Sequence, residues 1–187
     1  DINKGDKIID ACAAPGGKAK CILELSDCPE SVYVNDYNKN RYHKMRDELS
    51  ESKAVILNLD ASRDKFFEVD KILVDAPCSS NGTIQKNPDI KWKQIDIPHL
   101  ADRQYKILQN MSKNLKKGGA IIYSTCSISR RENFEVIQKF LDLNGNFEID
   151  KASNYVDEKF VDSNGCLNIF SPEHNIESIF AARLLKM

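Results

Sequence analysis

The sequence predicts an α/β fold, a mostly parallel sheet flanked by helices, on three observations. Short apolar runs alternate with longer segments of helical period, the pattern of strands joined by crossover helices. Carboxylates, glycines and thiols gather just after those apolar runs, where an open parallel sheet presents its carboxyl edge to ligands. The 187 residues, 41% hydrophobic and 29% charged, suffice for one domain with a real core.

Lys7 to Ala11 reads as a first buried strand, followed by a glycine-containing turn and a helix around Ala19 to Leu25. Ser31 to Val34 is a second strand and Asn38 to Leu49 a polar amphipathic helix. Val55 to Leu59 and Ile72 to Val74 are the third and fourth strands. Pro98 to Leu115 reads as a helix, with Pro98 in the first turn, where no amide donor is needed. Lys116, Lys117 and Gly118 supply the basic last turn and glycine stop that end a helix. Ala120 to Tyr123 is the fifth strand, Glu132 to Leu143 a further helix, and Ile179 to Leu185 a final strand. Asp150 to Asn175 is polar and poorly periodic, and reads as a loop-rich excursion.

Bulk properties narrow the function. The net charge is -1, which argues against gripping nucleic acid by bulk charge alone. Basic residues gather only locally, at Lys86, Lys91 and Lys93 and at Arg130 and Arg131. No apolar run approaches the roughly 20 residues that span a bilayer, and no signal peptide opens the chain. The first residue is Asp1, so the chain reads as a fragment of a longer protein. The six cysteines contain no C-x-x-C pair, and nothing in the sequence predicts a metal site. Reduced thiols in a cytoplasmic protein are the expectation. Cys21, Cys28 and Cys166 are expected to pack as small apolar side chains. The three histidines show no ligand spacing and are expected at the surface.

Five strand ends carry chemistry. The first strand runs into Asp10-Ala-Cys-Ala-Ala-Pro-Gly-Gly-Lys18. The second ends at Asp36, the third at Asp60, the fourth at Asp75-Ala-Pro-Cys78 and the fifth at Ser124-Thr-Cys126-Ser127. Gly16 and Gly17 let the backbone approach a ligand and start a helix at once. A phosphate-binding loop would need glycine at 12 and Ser or Thr at 19, where Cys12 and Ala19 stand, and the dinucleotide pattern is absent. A nucleoside without a phosphate chain suits the turn better. Asp36 is placed to accept from both ribose hydroxyls, and Asp60 to hold the adenine edge. Between Asp75 and Pro98 lies a long unpatterned segment, of the kind that is usually functional or disordered. It carries Lys86, Lys91 and Trp92. The lysines suit phosphate, while Trp92 suits either stacking on a base or anchoring the loop to the core.

Three motifs in this order, Asp-Ala-Cys-Ala-Ala-Pro-Gly-Gly-Lys, Asp-Ala-Pro-Cys-Ser and Ser-Thr-Cys-Ser with Glu132-Asn133 behind it, resemble the Sun family of RNA cytosine-5 methyltransferases. Asn87-Pro-Asp-Ile-Lys-Trp92 and Asp96-Ile-Pro place the likeness nearest the bacterial members that modify 16S ribosomal RNA. It runs from about Ile8 to the C-terminus and is weakest between Asp150 and Asn175. It implies a Rossmann-like methyltransferase fold, S-adenosylmethionine as cofactor and RNA, from the small ribosomal subunit, as partner. The cofactor site would comprise Cys12, Ala13, Ala14, Pro15, Gly16, Gly17, Lys18, Asp36, Asp60 and Asp75, with Lys18 expected to serve structurally. Residues 1–187 would form the catalytic domain, without the family's N-terminal RNA-binding region and the motif before the first strand.

Cytosine C5 is too poor a nucleophile to take a methyl group directly. A thiolate adding to C6 makes C5 an enamine carbon, which is covalent catalysis. Two thiols compete on position alone, because DNA cytosine-5 methyltransferases place their nucleophile where Cys78 stands. The resemblance assigns the nucleophile to Cys126, product release to Cys78 and contact with the cytosine to Asp75. The target base must leave its stack or come from a single-stranded loop.

The chain departs from the family where Gln85, Lys86 and Asn87 replace Arg-Arg-His. It departs again at Glu177-Ser-Ile-Phe180, which stands for Asp-Gly-Phe-Phe. Two other readings share the pattern. One is a catalytically silent module binding S-adenosylmethionine or RNA in ribosome assembly, with no need of two cysteines. The other is a nicotinamide dehydrogenase, disfavoured by the missing dinucleotide fingerprint.

Overall fold

A computed structural model describes residues 1–174 and 176–187. Five strands run parallel: β1 (Ile8–Asp10), β2 (Val32–Asn35), β3 (Val55–Leu57), β4 (Val69–Asp75) and β5 (Leu115–Thr125). Between or after them come α1 (Gly17–Leu25), α2 (Lys39–Glu48), α3 (Ile97–Ser112) and α4 (Phe134–Leu143). Then follow β6 (Phe147–Asp150), β7 (Leu167–Ile169), the single turn α5 (Ser171–His174) and β8 (Ile179–Lys186). The sheet order is β3-β2-β1-β4-β5-β8-β6, with β7 also paired to β8. β8 runs antiparallel to β5, β6 and β7. The order reverses between β1 and β4, and a crevice opens at that switch point.

The two layers follow from strand alternation, which sends successive side chains to opposite faces. Val32 and Val34 of β2 pack with Ala19, Met45 and Leu49 of the α1–α2 side, whereas Tyr33 packs against the other core. That larger core gathers Ile72 and Val74 of β4, Ile121 and Tyr123 of β5, and Ala182 and Leu184 of β8. Ile107, Leu108 and Met111 of α3 and Val136, Ile137 and Phe140 of α4 cover them. The apolar positions of α3 and α4 recur at helical spacing, which gives each one buried face.

The α/β expectation holds, and the differences are local. The third helix stops at Ser112, because Leu115 already pairs with Val69 as the start of β5. Gly118, at φ 77°, sits inside an irregular stretch of β5, where the register shifts between the pairs Val69–Leu115 and Lys71–Ala120. It is a bulge glycine and not a helix stop. The helix read from Glu132 begins at Phe134, since the side chains of Glu132 and Asn133 are committed to the preceding turns. The stretch read as loop from Asp150 onward contains β7 and α5, and β6 ends at Asp150. Asn175, its last residue, lies outside the described residues. Cys166 is buried as expected, but Cys21 lies on the solvent face of α1 and Cys28 is half-buried beside Ser31. Among the described residues no helix is long and apolar enough to cross a membrane.

Candidate active site

The strand-one loop turns sharply. Gly16 caps α1 with φ 115°, a left-handed conformation that L side chains rarely adopt. Nothing lies within 4 Å of where a Cβ on Gly17 would stand, so the backbone there is open to a ligand. Ala13 N donates to Asn35 O at 2.8 Å, tying the loop to the end of β2. Asn35 Nδ2 donates to Ala11 O and Leu59 O, so one buried side chain joins three strand ends.

A cleft of about 170 Å³ opens at the switch point, lined by Cys12, Asp36, Tyr37, Asp60, Pro77 and Arg103 among others. Asp36 is buried and holds Arg41, with Nη2 donating to Oδ2 at 2.8 Å and Nε to Oδ1 at 3.3 Å. Asp60 accepts from Ser62 N and Oγ and pairs with Arg63 at 3.2 Å. Burial works against its charge, but the Ser62 hydrogen bonds with Arg63 and Arg103 hold its carboxyl below the ordinary value.

Asp10, at the end of β1, is fully buried, and its Oδ2 has no hydrogen-bond partner among the described residues. Burial, reinforced by Asp75 and Asp36 against the pull of Cys12 N and Lys18, pushes its pKa up to about 7. The same surroundings, burial first and then Asp10, Asp36 and Asp75, push the Cys12 thiol far up, so it stays a neutral lining group. An orphaned acid among further carboxylates matches a cationic nucleoside. S-adenosylmethionine, with its ammonium, sulfonium and two ribose hydroxyls, fits this donor and acceptor set.

Lys18 does more than shape the turn. Its Nζ donates to Asp75 Oδ2 at 2.6 Å, while Ser124 Oγ donates to Asp75 Oδ1 at 2.7 Å. Asp75 is thus fixed from both sides at the end of β4. Three residues on, Cys78 Sγ lies 3.2 Å from Cys126 Sγ, which in turn lies 3.3 Å from Ser80 Oγ. Ser80 adopts φ 57°, a strained backbone for a residue with a Cβ. Hydrogen bonding from Cys78 brings the Cys126 thiol down to about 6, against the opposing effect of burial and with help from Ser80. The same contact, with burial, pushes the Cys78 thiol far up. The one contact lowers Cys126 and raises Cys78, and such coupled groups titrate as a unit.

Of the loop residues, Lys86 pairs with Glu177 at 2.8 Å and Lys91 is exposed. Trp92 is 87% exposed, so it does not anchor the loop; Ile90, beside it in the turn Pro88–Trp92, is the buried residue. Sequence reasoning missed the partners of these groups: Arg41, Arg103, the orphaned Asp10, and the buried Ser79, Ser127 and Gln104 around Glu132. Glu132 carried a signal, since it follows the last thiol motif, but its partners lie up to 53 residues away.

A mainly parallel sheet with an acidic cleft at its switch point and a thiol pair at neighbouring strand ends defines a Rossmann-like methyltransferase domain. The chain belongs to the 16S rRNA methyltransferase RsmB/F family, which it matches over residues 1–185. It is 37% identical to ribosomal RNA small subunit methyltransferase B of Shewanella oneidensis over 96% of this chain and 42% of that protein. It is 38% identical to the probable ribosomal RNA small subunit methyltransferase B of Bacillus subtilis over 80% of this chain and 36% of that protein. The crystal structure of NSun6 from Pyrococcus horikoshii superposes with a TM-score of 0.82 at 26% identity, covering 97% of this chain and 48% of that one. The chain therefore spans under half the length of these relatives.

Proposed function

We propose that this chain is the catalytic domain of an RNA methyltransferase that methylates carbon 5 of a cytosine in small-subunit ribosomal RNA, with Cys126 as nucleophile. The observation that carries the reading is the thiol pair, 3.2 Å apart at neighbouring strand ends, a contact that favours loss of the proton from Cys126. A thiolate present at neutral pH is what addition to cytosine C6 requires. Membership of the RsmB/F family supports ribosomal RNA as the substrate, and a cytoplasmic location goes with that reading.

S-adenosylmethionine supplies the electrophilic methyl group. Residues Cys12 to Lys18 would hold it by their backbone, Asp36 would take its ribose hydroxyls, Asp60 the adenine edge and Asp10 its ammonium. Asp75, steadied by Lys18 and Ser124, meets the target ring. Cys126 bonds to C6 and so gives C5 the electron density it lacks. Once C5 carries the methyl group, its proton passes to solvent through the Cys78 sulfur, and cleavage of the carbon–sulfur bond returns the Cys126 thiolate. We place Cys78 at that release step. Lys86, Lys91 and the exposed Trp92 face the RNA, whose bases stack readily on an aromatic ring.

The test uses the full-length protein with unmethylated small-subunit ribosomal RNA and S-adenosylmethionine. A covalent protein–RNA adduct on a denaturing gel is expected to accumulate with Cys78→Ala and to vanish with Cys126→Ala. The reverse pattern would make Cys78 the nucleophile. Undiminished methylation in both variants would end the thiol mechanism.

A further inference from the structure

We propose that Glu132 is a positioning residue that clamps the two thiol-bearing loops together through the serines that follow the thiols. The proposal rests on the thiol chemistry given above. β4 and β5 leave the sheet side by side, and their ladder ends where Ala76 N donates to Ser124 O. Cys78 and Cys126 lie beyond that point, so the sheet itself does not set their separation.

Glu132 does. It is fully buried. Its Oε1 accepts from Ser79 N at 2.8 Å and Gln104 Nε2 at 3.0 Å. Its Oε2 accepts from Ser79 Oγ at 2.5 Å and Ser127 Oγ at 2.6 Å. Ser79 follows Cys78 and Ser127 follows Cys126, so a single carboxylate ties both loops to each other and to α3. The neighbouring Asn133 braces the same loop, accepting from Thr125 Oγ1 at 2.6 Å and donating to Ser127 O at 2.8 Å. A buried carboxylate is costly unless its lone pairs are filled, and these four donors fill them. Groups that act on the Cys126 sulfur include Cys78, Ser80, Asp75 and Lys18. The tie from Glu132 to Cys126 runs through Ser127, and so through position. An S–H···S contact fails once the sulfurs separate beyond hydrogen-bond reach.

The test compares full-length wild type with Glu132→Gln and Ser127→Ala, without RNA. Iodoacetamide alkylation is followed site by site by mass spectrometry from about pH 5 to about pH 9. Capture of phenylarsine oxide, which needs two adjacent thiols, reports proximity, and thermal melting reports folding. In wild type the Cys126 alkylation midpoint is expected near 6. In both variants it should rise by about one pH unit or more, with weaker arsenical capture. An unchanged midpoint and unchanged capture in folded variants would overturn the clamp. Should Glu132→Gln fail to fold, Ser127→Ala decides alone, because Ser79 and Gln104 still satisfy the carboxylate. Methylation surviving in Cys126→Ala would sink the thiol mechanism and leave these alkylation shifts standing.

Discussion

Lys18 Nζ and Asp75 Oδ2 stand 2.6 Å apart, across 57 residues of sequence. The contact joins the turn after β1, the proposed cofactor loop, to the carboxylate that ends β4, the proposed cytosine contact, so one ion pair sets both. Lys18 is half exposed, and its loss should cost little stability. Lys18→Met is expected to lower kcat about tenfold or more while changing the S-adenosylmethionine Kd less than threefold. Single-turnover methylation alongside calorimetric titration checks this, and an equal loss in both quantities would make Lys18 a cofactor ligand only.

Cys78→Ala removes the donor that lowers the Cys126 thiol. The alkylation midpoint of Cys126 should then climb from near 6 toward the ordinary thiol range of about 8.5. At pH 7 the variant's alkylation rate falls accordingly, about tenfold. Stopped alkylation with mass-spectrometric readout measures it.

Asp10 gives a pH signature in stability. Its folded pKa, about 7, lies above the ordinary 3.8, so the folded state holds its proton more tightly than the unfolded chain does. That contribution is full below the ordinary value and is lost as pH rises through 7. Asp10→Asn keeps the shape without the charge. Relative to wild type it should gain roughly 1–3 kcal/mol between about pH 5 and about pH 8, read by urea unfolding at each pH. The same variant should bind S-adenosylmethionine more weakly, because the ammonium loses its carboxylate.

Gly82 tests the loop packing. A Cβ there would stand 2.6 Å from Cys126 O and 2.8 Å from Ser178 Cβ. Neither backbone nor Cβ yields cheaply, so Gly82→Ala should destabilise by about 1–3 kcal/mol. Because the displaced atom belongs to Cys126, methylation at a permissive temperature should fall further than stability does. Chemical unfolding and activity measured on one preparation separate the two.

Trp92 tests the proposed RNA face. With 87% of its surface exposed, Trp92→Ala should leave the melting temperature unchanged. If the ring stacks on a base, RNA binding should weaken by about 1–3 kcal/mol. Filter binding at fixed salt reads this out, and unaltered affinity would remove Trp92 from the interface.

The parallel sheet was legible because each of its strands announces itself locally. Apolar runs such as Lys7 to Ala11 and Ile72 to Val74 are followed at once by thiol or carboxylate residues, Cys12 and Asp75. β6 and β7 were not legible, at four and three residues. Their strand character comes from pairing with β8 and not from their own pattern. The helix stop read at Gly118 failed for a related reason, since a positive-φ glycine serves a bulge as well as a cap. Site residues could be named one at a time, but their partners could not. Nothing near Lys18 points to Asp75, and nothing near Glu132 points to Ser79. Trp92 was undecided because ring chemistry is the same for a core anchor and a stacking platform; only its exposure distinguishes them.

The order β5-β8-β6 has a consequence for synthesis on the ribosome. β6 and β7 emerge before the strand they pair with, and β5 waits with one edge bare. Until Ile179 to Lys186 clears the exit tunnel, that edge is open to any other extended segment, and the newly made half-sheet cannot close. Local αβ units can form as they appear, but the step that seals the sheet is long-range and late. The nascent chain therefore spends its most aggregation-prone interval after the thiols and the cofactor turn have already been translated.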